Sequence, residues 1–219
     1  LNGAGNKLEE AHIDLWYDDG SVSEIAGVLG PGTVLRAAQG PWLVTGTLTV
    51  PVGTTVEIEP GTTLLFHPDT SLIVNGRLLA EGSAYRRITF TKVPGSINWA
   101  GIQFLDTQQE SRLAYVNMEY CDAGDCAIEA DHAKVSMDHI IWGNHGKQYL
   151  NFEDSSIVLK NSVLPDIEGG ELVHYRGFPA DGRALFEGNR FGTTGGYNDV
   201  IDFTGGQRPG PIARFVNNT

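Results

Sequence analysis

The chain has 219 residues, enough for one large domain or two small ones, and 41% of them are apolar, enough for a real core. Its formal net charge of −12 and pI near 4.8 argue against binding nucleic-acid phosphates or anionic membranes, and against acidic polysaccharides such as pectate. No run approaches the ~18 apolar residues needed to span a bilayer.

The opening stretch LNGAGNKLEEAHIDLWYDD has neither the basic start nor the apolar middle of a secretory leader, as would also hold for a mature or excised chain. Residues 1–40 lack any regular register. HIDLWYDDGSVSEIAGVLGPG is read as a strand and one short helix around Ser23 to Val28. Residues 41–219 behave differently, because they repeat. At a step of 16, Val56, Leu72 and Ile88 share one column, Ile58, Val74 and Phe90 a second, with Trp42 one step before Ile58, and Leu48, Leu64 and Ala80 a third. Within each copy apolar residues alternate with polar ones, and Pro-Gly, Pro-Asp and Asn-Gly pairs cut the runs short. This is the signature of short strands joined by turns. Past Glu110 the step lengthens to 22. Leu113, Val135 and Ile157 align, as do Tyr115, Met137 and Leu159, then Asn117, His139 and Asn161, and Tyr120, Trp142 and Leu164. Looser copies follow at ALFEGNRFG and ARFVNNT.

A strand-turn unit this small cannot bury its own apolar face, but copies stacked coil on coil bury a continuous column. The pattern predicts an all-β solenoid, with like residues stacked in columns and Asn117, His139 and Asn161 as a polar ladder at a bend. A β-sandwich also has many short strands, yet it demands no fixed step over so many copies. The open end of a solenoid needs cover, so residues 1–40 are expected to form an N-terminal cap on the parallel solenoid of 41–219, the whole being one domain. FVNNT stops inside a repeat with no covering segment behind it, which points to a chain cut from a longer protein or followed by another module. The Asn217-Asn218-Thr219 sequon is read as a bend in the coil.

The runs TVPVGTTVEIEPGTTLLF, SLIVNGRLLAEGS, RITFTK, WAGIQF and SRLAYVNMEYCDAG resemble the coils of right-handed parallel β-helix proteins, over roughly Trp42 to the end. The resemblance implies polysaccharide chemistry. The family holds pectate lyases, polygalacturonases and phage tailspikes, together with non-catalytic modules that bind xylan and are attached to hydrolases. Of the polygalacturonase motifs only a partial echo occurs, GNHGK at Gly143 to Lys147, and no acidic cluster joins an arginine in the manner of a calcium-dependent lyase. The resemblance therefore implies a secreted, non-catalytic carbohydrate-binding module for a plant cell-wall polysaccharide. Xylan comes first, and the natural covalent partner is a glycoside hydrolase module. Two alternatives stand beside it: a lyase or hydrolase acting on the coil face, and a structural or adhesive repeat of a bacterial surface protein.

Neutral glycans are held by aromatic faces and by side chains that bond hydroxyls. The candidate aromatics are Trp99, Tyr120, Trp142, Tyr149 and Tyr175, and the polar companions are Asn117, Glu119, Asp122, Asp125, Asp138 and Asn144. Core packing competes for three of these. Tyr120 and Trp142 share a column with Leu164, and Trp99 in INWAGI sits where a loop re-enters the coil. Tyr149 and Tyr175 lie off the clearest columns and are expected at the surface. His132, His139, His145 and His174 do not recur at metal-ligand spacing. Asp199 and Asp202 are too few to define a calcium site. The glycines of GTTGGYNDVIDFTGGQRPGP lack the order of a phosphate loop, so no cofactor is implied, and the segment is read as a loop inserted in the solenoid wall. Cys121 and Cys126 enclose four residues in an acidic setting, which disfavours a reactive thiolate and leaves a bridge open.

Overall fold

The structure is a computed structural model that describes residues 21–121, 126–143, 148–177, 182–196, 199–204 and 213–219. Every strand in these residues pairs in parallel with a strand of a neighbouring coil, and all but those at the sheet ends do so on both sides. Parallel neighbours so close in sequence, with no α-helix among the described residues to carry a crossover, arise when the chain winds round and returns. The result is a β-solenoid of about seven turns.

Each full turn passes three walls. The long strand Trp42–Val50 bends between two of them. Its first part pairs with Thr63–Phe66, which opens a first wall running through Ile88–Lys92, Val116–Glu119 and Ile141–Gly143. Its second part pairs with Leu72–Val74, which opens a second wall running through Ile102–Leu105, Cys126–Asp131, Gln148–Glu153, Val173–Arg176 and Ile201–Thr204. A separate eight-stranded sheet is the third wall, from Val34–Leu35 to Ala213–Val216.

Period-two alternation sends every other side chain inward. The inner columns include Leu64, Phe90, Met118, Trp142 and Leu164 on the first wall, Val74, Phe104, Ala130, Phe152 and Tyr175 on the second, and Ala80, Leu113, Met137, Leu159 and Phe186 on the third. Val135, Met137, Ile157 and Leu159 meet in register and are buried, as their columns predict.

The step of 16 has a different meaning from the one expected. Val56, Leu72 and Ile88 all point into the core, but they lie on the third, second and first walls. One full turn beyond Val56 is Leu78. Inner residues recur at roughly one wall's spacing, so a step of 16 lands two walls on. The later register also slips. Leu113 stacks on Met137, not Val135, and Met118, not Tyr120, shares the column of Trp142. Both slips are of two residues, which moves a residue along the strand but leaves it facing the same side.

Of the expected bend ladder, His139 and Asn161 stand at one corner and Asn117 does not. The corner between the third and first walls is made by Tyr115, His139 and Asn161, with φ of 49°, 55° and 47°, followed by Gly188 and Asn217. The first four donate their amide N–H to the coil above, as Tyr115 does to Asp138 and His139 to Lys160. Asn117 lies on the wall instead, where its Oδ1 accepts from Arg87 Nε at 2.6 Å. Asn217 does sit at a bend, and Asn218 closes a buried ladder just inside it. The Ser162 N–H donates to Asn189 Oδ1 at 3.0 Å, and the Asn189 N–H to Asn218 Oδ1 at 2.9 Å.

Ser23–Val28 is a strand rather than the expected helix, because it pairs in parallel with Trp42–Val50. Together with Val34–Leu35, paired to Thr55–Ile58, it makes residues 23–35 a coil of the solenoid itself.

Candidate functional site

Four of the five candidate aromatics are core residues, which corrects the expectation that Tyr149 and Tyr175 face solvent. Trp99 is fully buried, stacks on Phe66 with ring centroids 4.0 Å apart, and donates its indole N–H to the Glu119 carbonyl at 2.7 Å. Trp142 fills the first-wall column and leans on Tyr149, with centroids 5.9 Å apart. Tyr175 is fully buried, packs against Phe152 and Phe203, and donates its hydroxyl to the Ser155 carbonyl. Burial is the main force that pushes the Tyr149 and Tyr175 hydroxyls well above the usual phenol range. No sugar ring can lie on faces covered in this way.

Tyr120 keeps part of its surface. It takes a positive φ of 56° where the first wall ends, and Lys92 Nζ lies 4.7 Å from its ring centre. Asn117 and Glu119 point outward from the strand just before it, so these three form one small group on the first wall. Asp138 stands apart on the third wall, 2.9 Å from His139 Nδ1 and accepting from Asn161 Nδ2 at 2.9 Å. Arg87 ties the two places together by donating to Asn117 and to the Val116 and His139 carbonyls. Asp122, Asp125 and Asn144 lie outside the described residues, as does most of the GNHGK run. Cys121 is buried, and the Cys126 side chain is likewise outside the description.

The richest polar surface is one that the sequence reading missed. On the second wall Gln103, Glu129, Asn151, His174 and Asp202 occupy one outward row on five successive coils, in register. Two residues further along each strand, Asp131, Glu153, Arg176 and Thr204 make a parallel row. Coils stack about 4.8 Å apart, so the first row is a continuous track of hydrogen-bonding groups. Gln103 Nε2 donates to Glu129 Oε2 at 2.7 Å. At the adjoining corner His132 Nδ1 lies 2.5 Å from Asp131 Oδ1, and its Nε2 lies 3.8 Å from Asp154 Oδ2. The hydrogen bond to Asp131 is the first cause that raises the His132 pKa above its ordinary value. At the far end of the row Glu171, His174 and Asp202 hold ligand-type atoms within 4.8 Å of one another. A signal for the row did exist. Ile102-Gln103-Phe104, Ile128-Glu129-Ala130, Leu150-Asn151-Phe152, Val173-His174-Tyr175 and Ile201-Asp202-Phe203 share one apolar-polar-apolar pattern. The loops between these triplets differ in length, and a fixed-step comparison passes over them.

These features define a parallel β-solenoid with a polar track along one wall. Comparison with protein-family models, curated proteins and solved structures finds no match.

Proposed function

We propose that this chain is a non-catalytic carbohydrate-binding module that holds an extended, neutral plant cell-wall polysaccharide, xylan first, along the second wall. The observation that carries the reading is the outward row Gln103, Glu129, Asn151, His174 and Asp202, in register on successive coils. A linear glycan presents hydroxyls at a regular repeat, and a row of amide, carboxylate and imidazole groups offers donors and acceptors along a straight line to meet them. With the candidate tryptophans buried, hydroxyl bonding replaces aromatic stacking as the main source of affinity. The resemblance to right-handed β-helix xylan-binding modules supports the choice of ligand, and with it a secreted setting beside a hydrolase. The net charge of −12 supports a neutral glycan over an acidic one.

The test is a pull-down with insoluble xylan, comparing wild type with Glu129→Ala and Asn151→Ala. Both side chains lie outside the core, so each variant is expected to melt near wild type and to bind more weakly, by about 0.5–1.5 kcal/mol per lost hydrogen bond and up to about 3 kcal/mol where the bonding group is charged. Undiminished binding in both variants overturns the assignment of this wall. A second reading, a lyase or hydrolase on the same wall, draws on the carboxylates of Glu129, Asp131, Glu153 and Asp154, with His132 set between Asp131 and Asp154. Steady release of reducing or unsaturated ends from xylan favours it. A protein that neither binds nor cleaves glycans is left with the third role, an adhesive or structural repeat.

A further inference from the structure

The end of the second wall carries a ligand chemistry that goes beyond the glycan reading and does not depend on it. His174 and Asp202 are register-paired on neighbouring coils. Glu171 reaches the same spot from the turn before the strand, where Gly170 takes a positive φ of 90°. All three are half-buried, and one ligand atom from each lies within 4.8 Å of the other two.

The separations are poor for hydrogen bonding. His174 Nδ1 stands 3.5 Å from Asp202 Oδ2, and its Nε2 stands 3.4 Å from the Arg176 guanidinium. Both exceed the ordinary range of about 2.7–3.2 Å. The Nδ1–Oδ2 separation suits coordination better, while the Arg176 contact is a long hydrogen bond to the other ring nitrogen. Around a zinc ion with bonds of about 2.0–2.1 Å, tetrahedral ligand atoms stand about 3.3–3.4 Å apart. We propose that Glu171, His174 and Asp202 form a binding site for a divalent transition metal, zinc by preference, which clamps the coil of Val173–Arg176 to that of Ile201–Thr204. An imidazole with two carboxylates is a zinc-type ligand set, and it leaves a fourth position for water. Calcium asks for about six to eight oxygen ligands, which three side chains do not supply. Parallel pairing fixes the spacing of His174 and Asp202 in advance, so binding costs little ordering of the chain. Arg176 is exposed and sits at His174 Nε2, which leaves Nδ1, the nitrogen that faces Asp202, as the ligand atom.

The experiment is calorimetric titration of the chelator-treated full chain with zinc chloride, in the absence of glycan, with calcium chloride as the control. The expected result is one zinc per chain, at least tenfold weaker binding in His174→Ala, Asp202→Asn and Glu171→Gln, and no comparable uptake of calcium. Zinc also raises the melting midpoint of the wild type but not of Glu171→Gln, a change outside any strand that keeps the test valid if a strand variant fails to fold. The proposal is overturned by the lack of saturable one-to-one binding, or by affinity unchanged in Glu171→Gln and Asp202→Asn, which assigns the zinc to other histidines. Zinc binding with no rise in midpoint overturns the clamp. The titration contains no glycan, and the xylan test uses Glu129 and Asn151 on other coils, so failure of the zinc site and failure of the glycan reading are told apart.

Discussion

A tryptophan between two coils and a tyrosine at a corner are the same kind of residue to a sequence and different things to a fold. Trp99 was legible as packing, because a loop that re-enters the coil needs a large apolar plug, and it stacks on Phe66. Tyr149 and Tyr175 were not legible. They belong to the second wall, whose loops vary in length and hide both the column that Tyr175 shares with Phe152 and the place of Tyr149 against Trp142. His132 shows what the corners add. It takes a φ of 48° between two walls, and its ring lies against Asp131 with Asp154 beyond. Asp131 above all, with Asp154 and Asp106, holds its folded pKa above the unfolded value, against the opposing effect of burial. A group whose pKa is raised on folding binds its proton more tightly in the folded state. Its stabilising contribution is therefore complete below the unfolded value of about 6.5 and disappears as pH rises through the folded value. Replacing it with Asn, which tolerates the left-handed corner, should cost stability at a pH of about 5.5 and cost less at about 8.5. Urea midpoints of wild type and His132→Asn at the two values check this, and a gap that widens with pH contradicts it.

Strands reveal their facing more readily than their neighbours. Alternation alone placed Val135, Met137, Ile157 and Leu159 in the core, and the structure stacks them as expected. The columns around them slipped by two residues because a loop that gains two residues changes the register without changing which side faces inward. The polar ladder was legible in kind, since Asn at a bend is a familiar solution for a left-handed corner, and His139 and Asn161 stand at the corner as expected, with Tyr115 in the place given to Asn117. Its buried part carries a large share of the corner's hydrogen bonding. Asn189 is 1% exposed, accepts from the Ser162 N–H, and donates Nδ2–H to the Leu159 carbonyl at 2.9 Å. Asn189→Ala strands both backbone groups away from water, at about 1–3 kcal/mol each. Asn189→Ser should recover part of that loss. One coil earlier Ser162 already does both jobs, accepting from the Ile140 N–H and donating to the Lys160 carbonyl. Chemical denaturation checks the pair, and equal losses in Ala and Ser would show that the ladder's bonds do not matter individually.

At the scale of the whole molecule, the solenoid was legible because stacking is the only way such short units can bury their apolar faces. Its three-walled cross-section was not, since a step of 16 describes two walls as well as it would describe one small coil. The same scale sets the electrostatics of any ligand. A chain with net charge −12 repels a polyanion at long range, whereas a neutral glycan feels only the groups it touches. Screening separates the two cases, because the Debye length falls from about 30 Å at 0.01 M salt to about 3 Å at 1 M. Hydrogen bonds between the row from Gln103 to Asp202 and uncharged hydroxyls are short-range contacts, so salt has little to screen. Affinity for xylan, measured by gel retardation at the two salt concentrations, should then agree within about twofold. Polygalacturonate should bind poorly at low salt, and any retardation it shows should grow as salt is added. A xylan affinity that collapses with salt would mean that charge on the ligand carries the binding, and the neutral-glycan reading would give way to one built on the exposed cations Arg86, Arg112, Lys134, Arg176 and Arg183.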